Sequence, residues 1–173
     1  MITVLVRVKH GPEALAVTLS ALVPAVAAGL VGDAVILADR PDDRIAQVAD
    51  AAGAELVVTA VEPWREGARL ARRDWLLCLD DGDILADGWI QILERFATFS
   101  GPDRSGKLKR RSSGVFGSVR GFVRTLIGSG DSRAGDLVHK KVVTGQMKAR
   151  STVSLAAFIE RDPLFSKRAA AVS

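Results

Sequence analysis

The chain has 173 residues, 48% of them hydrophobic and 25% charged, with a formal charge of +4. That length suits one domain with a real core and is too short for two full ones, and the composition is that of an ordinary soluble globular protein. Charge is unevenly placed: residues 1–103 hold 9 Lys/Arg against 16 Asp/Glu (net −7), and residues 104–173 hold 15 against 4 (net +11). Such a division suggests two surfaces with different partners. A single cysteine, Cys78, excludes a disulfide framework and suits a reducing cytoplasm. Inside the apolar run WLLCLD it reads as a small buried hydrophobe.

Ile2 to Val8 (ITVLVRV) is rich in β-branched residues and predicts a buried first strand. Gly11-Pro12 ends it, and Pro12 opens a helix expected over Glu13 to Val23, stopping before Pro24. Ala14 to Gly32 carries no charge. It is nonetheless interrupted by Thr18, Ser20 and Pro24, so it reads as a buried helix and loop, not a membrane span. Ala34 to Ala38 predicts the second strand. Asp42 or Asp43 is placed to cap the next helix, which runs through Ala52 and stops at Gly53.

Ala54 to Ala60 predicts a third strand, Glu62 to Arg72 a helix, Asp74 to Leu79 a fourth strand, and Gly88 to Phe99 another helix. Strands alternating with helices at this spacing imply a doubly wound, mostly parallel α/β sheet in a single domain. Beyond Phe99 the pattern changes. Ser100 to Gly114 is polar and basic and reads as an exposed loop. Val115 to Ile127 places its apolar residues on one helical face. Asp136 to Val143 predicts a strand, Thr152 to Glu160 a short helix, and the tail from Lys167 a frayed end.

The densest chemistry lies in LLCLDDGDIL, Leu76 to Leu85, a buried strand ending in Asp80, Asp81 and Asp83. Carboxylates so close repel one another unless a cation or hydrogen-bond donors compensate. The crevice outside strand carboxyl ends is where open α/β sheets bind ligands. Hard oxygen ligands there suit Mg²⁺ or Mn²⁺ bridging to a substrate's phosphates. No G-x-G-x-x-G or Walker loop follows the first strand. His10 and His139 lack metal-ligand spacing.

In order, ITVLVRVKH, AVILADRPDD and GARLARRDWLLCLDDGDILADGWI resemble the first strand, second-strand acidic turn and D-x-D segment of family-2-type (GT-A) glycosyltransferases. The resemblance covers about residues 1–95, and Gly67 to Ile90 is its most specific piece. It implies a cytoplasmic enzyme moving a sugar from a nucleotide-diphosphate sugar to an envelope or lipid-linked acceptor. Residues 1–99 would form the nucleotide-sugar part and 100–173 a shortened acceptor side. Carried across, Asp39 would hold the nucleoside, Asp80 the ribose, and Asp81 and Asp83 the metal. Arg65, with Arg69, Arg72 and Arg73, is a candidate for a diphosphate contact, the alternative being charges on a helix surface. The sequence departs from the pattern in three places: Asp39 follows Ala38 where the family has paired acids, Gly82 takes the aligned metal position, and Arg7 replaces a proline. Glu160 and Asp162 are the only acids near a base position, and no catalytic base is assigned. The alternative is a catalytically inactive binding or regulatory module of the same fold. Residues 104–127, basic and then amphipathic, would suit an anionic membrane face. No nucleic-acid partner is expected, because no aromatics interleave the charge.

Overall fold

A computed structural model of the chain describes residues 1–111 and 134–166. It builds β1 (Ile2–Arg7), α1 (Pro12–Ala27), β2 (Val31–Ala38), α2 (Asp43–Ala51), β3 (Glu55–Val58), α3 (Pro63–Leu70), β4 (Trp75–Asp80) and β5 (Asp83–Leu85). Then follow α4 (Trp89–Phe99), β6 (Arg104–Arg110), β7 (Asp136–His139), α5 (Lys140–Val143), β8 (Ser151–Arg161) and α6 (Pro163–Ser166). The strands join one sheet in the order β3-β2-β1-β4-β7-β6-β8-β5. Parallel pairing of β1 with β2 and β4, and of β2 with β3, fixes one direction. Two antiparallel steps through β7 return β6 to that direction, and β8 follows it in parallel with β6. Among the described strands only β7 and β5 run the other way. The α/β class is as the sequence implied, and the basic second part extends the same sheet.

Apolar residues on both faces of the central strands explain the doubly wound form. Val4, Val6, Ile36, Leu77 and Leu79 pack with Leu15 and Leu22 of α1, Ile45 of α2 and Leu93 and Phe96 of α4. The alternate residues Leu5, Val35, Leu37, Leu76 and Cys78 pack on the other face against Trp64 and Ala68 of α3. Gly67 of α3 lets that helix lie close to the sheet, since a Cβ there would sit 2.7 Å from a Leu37 methyl. Asp42 caps α2 by accepting from the Arg44 and Ile45 amides.

Helix α1 does not stop at Pro24, which lies inside its last turn. Proline removes one amide donor there, but Leu22 and Ala25, 3% and 0% exposed, hold the turn on the core. The polar stretch expected to be a loop contains β6, and the segment expected to be a short helix is the long strand β8. In β8, Leu155, Ala157 and Ile159 are buried while Ala156 between them is exposed and Phe158 only half-buried, an alternation of period two that decides for a strand. In β6 the inward residues are Ser105 and Leu108, with Gly106 pressed on Leu155. The strand expected to reach Val143 ends at His139 and turns into α5. The amphipathic helix expected at 115–127 and the tail from Lys167 lie outside the described residues. Among the described residues no helix is long and apolar enough to cross a membrane.

Candidate functional site

Because β1, β2, β4, β6 and β8 share a direction, their carboxyl ends form one rim. Arg7 ends β1 opposite Asp80, which ends β4. Arg110 ends β6 and Arg161 ends β8, where Arg161 stands opposite Asp83. The fold thus brings charges of both signs to the place where open α/β sheets take ligands.

The three acids are fixed one by one. Asp80 lies in ion pairs with Nε of Arg7 and Nζ of Lys9, each at 3.0 Å. Burial pushes its carboxyl upward, but hydrogen bonds and charge from Lys9 and Arg7 outweigh this and hold it below the ordinary carboxylate range. Asp81, fully buried, accepts from the His10 and Gly11 backbone amides at 2.6 and 3.0 Å, and its other oxygen meets Nδ1 of His10 at 2.8 Å. Asp83, 1% exposed, receives both terminal nitrogens of Arg110 at 2.7 and 2.8 Å and also the Asp80 amide at 3.0 Å. Burial alone would lower the Arg110 pKa, yet its hydrogen bonds and attraction to Asp83 raise it. Arg161 approaches Asp83 at 3.5 Å and Asp80 at 4.0 Å.

Gly82 makes the turn possible. Its φ of +80° is a left-handed value that disfavours side chains. Its amide donates to the carbonyl of Ala14 and its carbonyl accepts from Asp162. The acidic turn is therefore pinned to α1 on one side and to the end of β8 on the other.

The remaining predicted residues stand apart from this cluster. Asp39 is exposed just past the end of β2, with no ion pair or hydrogen bond to another described residue. Arg65 lies on α3, paired with Glu62 at 3.2 Å, with its Nε buried and lacking an acceptor. Glu160 is paired with Arg111 at 2.7 Å, and Asp162 accepts from the Leu164 amide at 2.8 Å. Sequence reasoning missed Lys9, Arg110 and Arg161. The signal available was weak: basic residues at strand carboxyl ends, recognisable only once β6 and β8 are known to be strands.

These positions test the expectation that Asp81 and Asp83 hold a metal. Every oxygen of both carboxylates already accepts from a donor of the chain. Among the described residues no group of three or more His, Cys, Asp or Glu is gathered to hold an ion. In this arrangement the two residues do not fit that role, because Arg110 and the His10–Gly11 amides already compensate their charge.

No family model matches the chain, and no curated protein matches it. Solved structures do. A nucleotidyl transferase from Methanothermobacter thermautotroptrophicus superposes with a TM-score of 0.54 at 13% identity, over 90% of this chain and 88% of that one. Glucosyl-3-phosphoglycerate synthase from Mycobacterium tuberculosis gives 0.56 at 15%, over 98% and 74%, in a complex with Mn²⁺, UDP and phosphoglyceric acid. Mannosyl-3-phosphoglycerate synthase from Rubrobacter xylanophilus gives 0.57 at 14%, over 99% and 70%. In fold, then, the chain is a divergent GT-A-like domain, similar to nucleotidyl- and glycosyl-transferring proteins.

Proposed function

We propose that this chain binds a nucleotide-diphosphate sugar across the carboxyl ends of β2, β1 and β4 and acts as a glycosyltransferase. The observation that carries the reading is the convergence of Arg7, Asp80, Asp83, Arg110 and Arg161 on one rim, flanked by the exposed Asp39. A rim with paired charges, together with a carboxylate at the end of β2 that has no partner among the described residues, suits a ligand that has both hydroxyls and phosphates. Asp39 would take the nucleoside, Asp80 the ribose side, and Arg65 would reach toward the diphosphate after leaving Glu62. The β6–β8 part would form the acceptor side, with an envelope or lipid-linked acceptor. Fixed cations at such a rim would stabilise the charge that develops on a departing diphosphate.

A divalent ion, Mg²⁺ or Mn²⁺, belongs to this reading as a companion of the donor, as Mn²⁺ accompanies UDP in the mycobacterial enzyme. Magnesium commonly keeps waters and substrate phosphates as ligands and needs few carboxylates, so it can enter with the nucleotide without a cage prepared by the protein.

Contact with an anionic membrane through residues 104–127 is the remaining part of the proposal. Arg110 and Arg111 of that run are already paired with Asp83 and Glu160, leaving Arg104, Lys107 and Lys109 as its exposed cations without an ion pair among the described residues.

The test is a thermal-shift panel of nucleotide sugars with Mn²⁺. A uridine diphosphate sugar is expected to raise the melting temperature, and Asp39→Ala to reduce that rise. No response to any nucleotide sugar would remove the reading. Release of nucleoside diphosphate in the presence of acceptor extracts separates transfer from binding alone.

A further inference from the structure

The carboxylates of the acidic turn are compensated by protein cations, and those cations are not all used to the same degree. Arg110 is fully committed, with both terminal nitrogens on the two oxygens of Asp83. Arg161 is not. Among the described residues its nearest carboxylate contacts, at 3.5 and 4.0 Å, are longer than good charge-assisted hydrogen bonds, and its Nε is buried without an acceptor there. Arg7 gives Asp80 only its Nε while its guanidinium rests 5.0 Å from the centre of the Trp64 ring, and Lys9 is 43% exposed. A buried guanidinium donor with no acceptor is costly, and three cations with donors to spare stand at one strand rim.

We propose that Arg161, Arg7 and Lys9 bind the phosphate groups of an anionic ligand directly, and that this binding requires no divalent ion. The planar guanidinium suits two phosphate oxygens at once, and the Trp64 ring fixes the Arg7 plane. Asp83, with Arg110 upon it, keeps Arg161 at the rim without competing strongly for its hydrogen bonds. The inference rests on the nucleotide-sugar reading only for the identity of the ligand. Its own content is that the cation meeting the phosphate is supplied by the protein.

Isothermal titration of the full chain with inorganic phosphate, pyrophosphate and UDP, each in EDTA and then in Mn²⁺, tests this. Pyrophosphate and UDP are expected to bind in EDTA, and inorganic phosphate more weakly. Arg161→Ala is expected to weaken pyrophosphate by about tenfold or more, and Lys9→Ala by less. The ligand-free melting temperature of each variant should stay close to that of the unaltered chain. Should Arg161→Ala fail to fold, Lys9→Ala and Arg161→Gln carry the test. Binding of UDP only when Mn²⁺ is added overturns the inference and leaves the nucleotide reading standing. Pyrophosphate binding in EDTA without any UDP binding does the reverse. Unchanged affinity in the variants overturns the inference, and no binding under either condition overturns both.

Discussion

The two parts of the sheet are made of different material. Strands β1, β2 and β4 are apolar on both faces and lie under helices, whereas β6 is polar with single buried residues and β8 alternates. The first part is acidic and the second basic, and they meet where Asp83 lies beneath Arg110 and Arg161. Some of the charge asymmetry is therefore an internal complement between two regions of one sheet, not a sign of two outside partners. It also fixes which side of the rim offers cations to a ligand.

The largest expected effect follows from cutting that complement. Asp83→Ala leaves Arg110 without its partner, and removal of one member of a buried pair typically costs about 3–5 kcal/mol. Arg110 is 39% exposed, so water can take over part of its solvation and the lower end applies, about 3 kcal/mol. For a chain of this size that lowers the melting temperature by about 6–12 °C. Asp83→Asn, which keeps an acceptor, should lose less. A scan that finds Asp83→Ala as stable as the unaltered chain would show the two regions to be energetically independent at this point.

A second pair of variants sharpens the difference between the strands themselves. Leu155→Ala in β8 opens a cavity beside Gly106 and Phe96 and should cost about 2–3 kcal/mol. Val153→Ala, on the same face but 40% exposed near the start of β8, should stay within about 0.5 kcal/mol. Both side chains lie on one face of β8, so equal costs at the two positions in urea melts would show that the core covers Val153 as fully as Leu155. Next in size is Gly106→Ala in β6. Its added Cβ would stand 2.6 Å from a Leu155 methyl carbon, and overpacking of this kind costs about 1–2 kcal/mol. The same denaturation series measures it.

The first region was legible because its strands are continuous β-branched and apolar runs between turn residues, and its helices carry caps such as Asp42 and stops such as Gly53. The second region hid its strands. Only Leu108 of Arg104–Arg110 is a large apolar residue, and the glycine that permits close packing against Leu155 is, in sequence, a loop signal. In β8 the run SLAAFIE holds helix formers, and tertiary pairing with β6 and β5 overrides that preference. At the candidate site, sequence reasoning brought out the acidic turn and the rim it occupies. It assigned Asp81 and Asp83 to an ion because the partners Arg110 and Arg161 are 27 and 78 positions away from Asp83 along the chain. Nothing local announces their arrival.

The smallest expected effect concerns the acid limb of stability. The carboxyl of Asp80 is held below its ordinary value of 3.8 by Lys9 and Arg7 against the opposing pull of burial. A carboxyl whose folded value is depressed binds fewer protons in the folded chain than in the unfolded one. Its contribution is therefore complete above the ordinary carboxylate range and fades as pH falls through the folded value. Lys9→Ala removes one source of that depression. Because Lys9 is 43% exposed, its pair with Asp80 should contribute no more than about 1 kcal/mol. The stability difference between the unaltered chain and Lys9→Ala should then be constant above about pH 5 and shrink toward zero as Asp80 is protonated at lower pH. Urea melts across that interval measure it. A difference that instead grows on acidification would mean that Lys9 acts through a group other than Asp80, and the rim would lose the ion pair that ties the β1 end to the acidic turn.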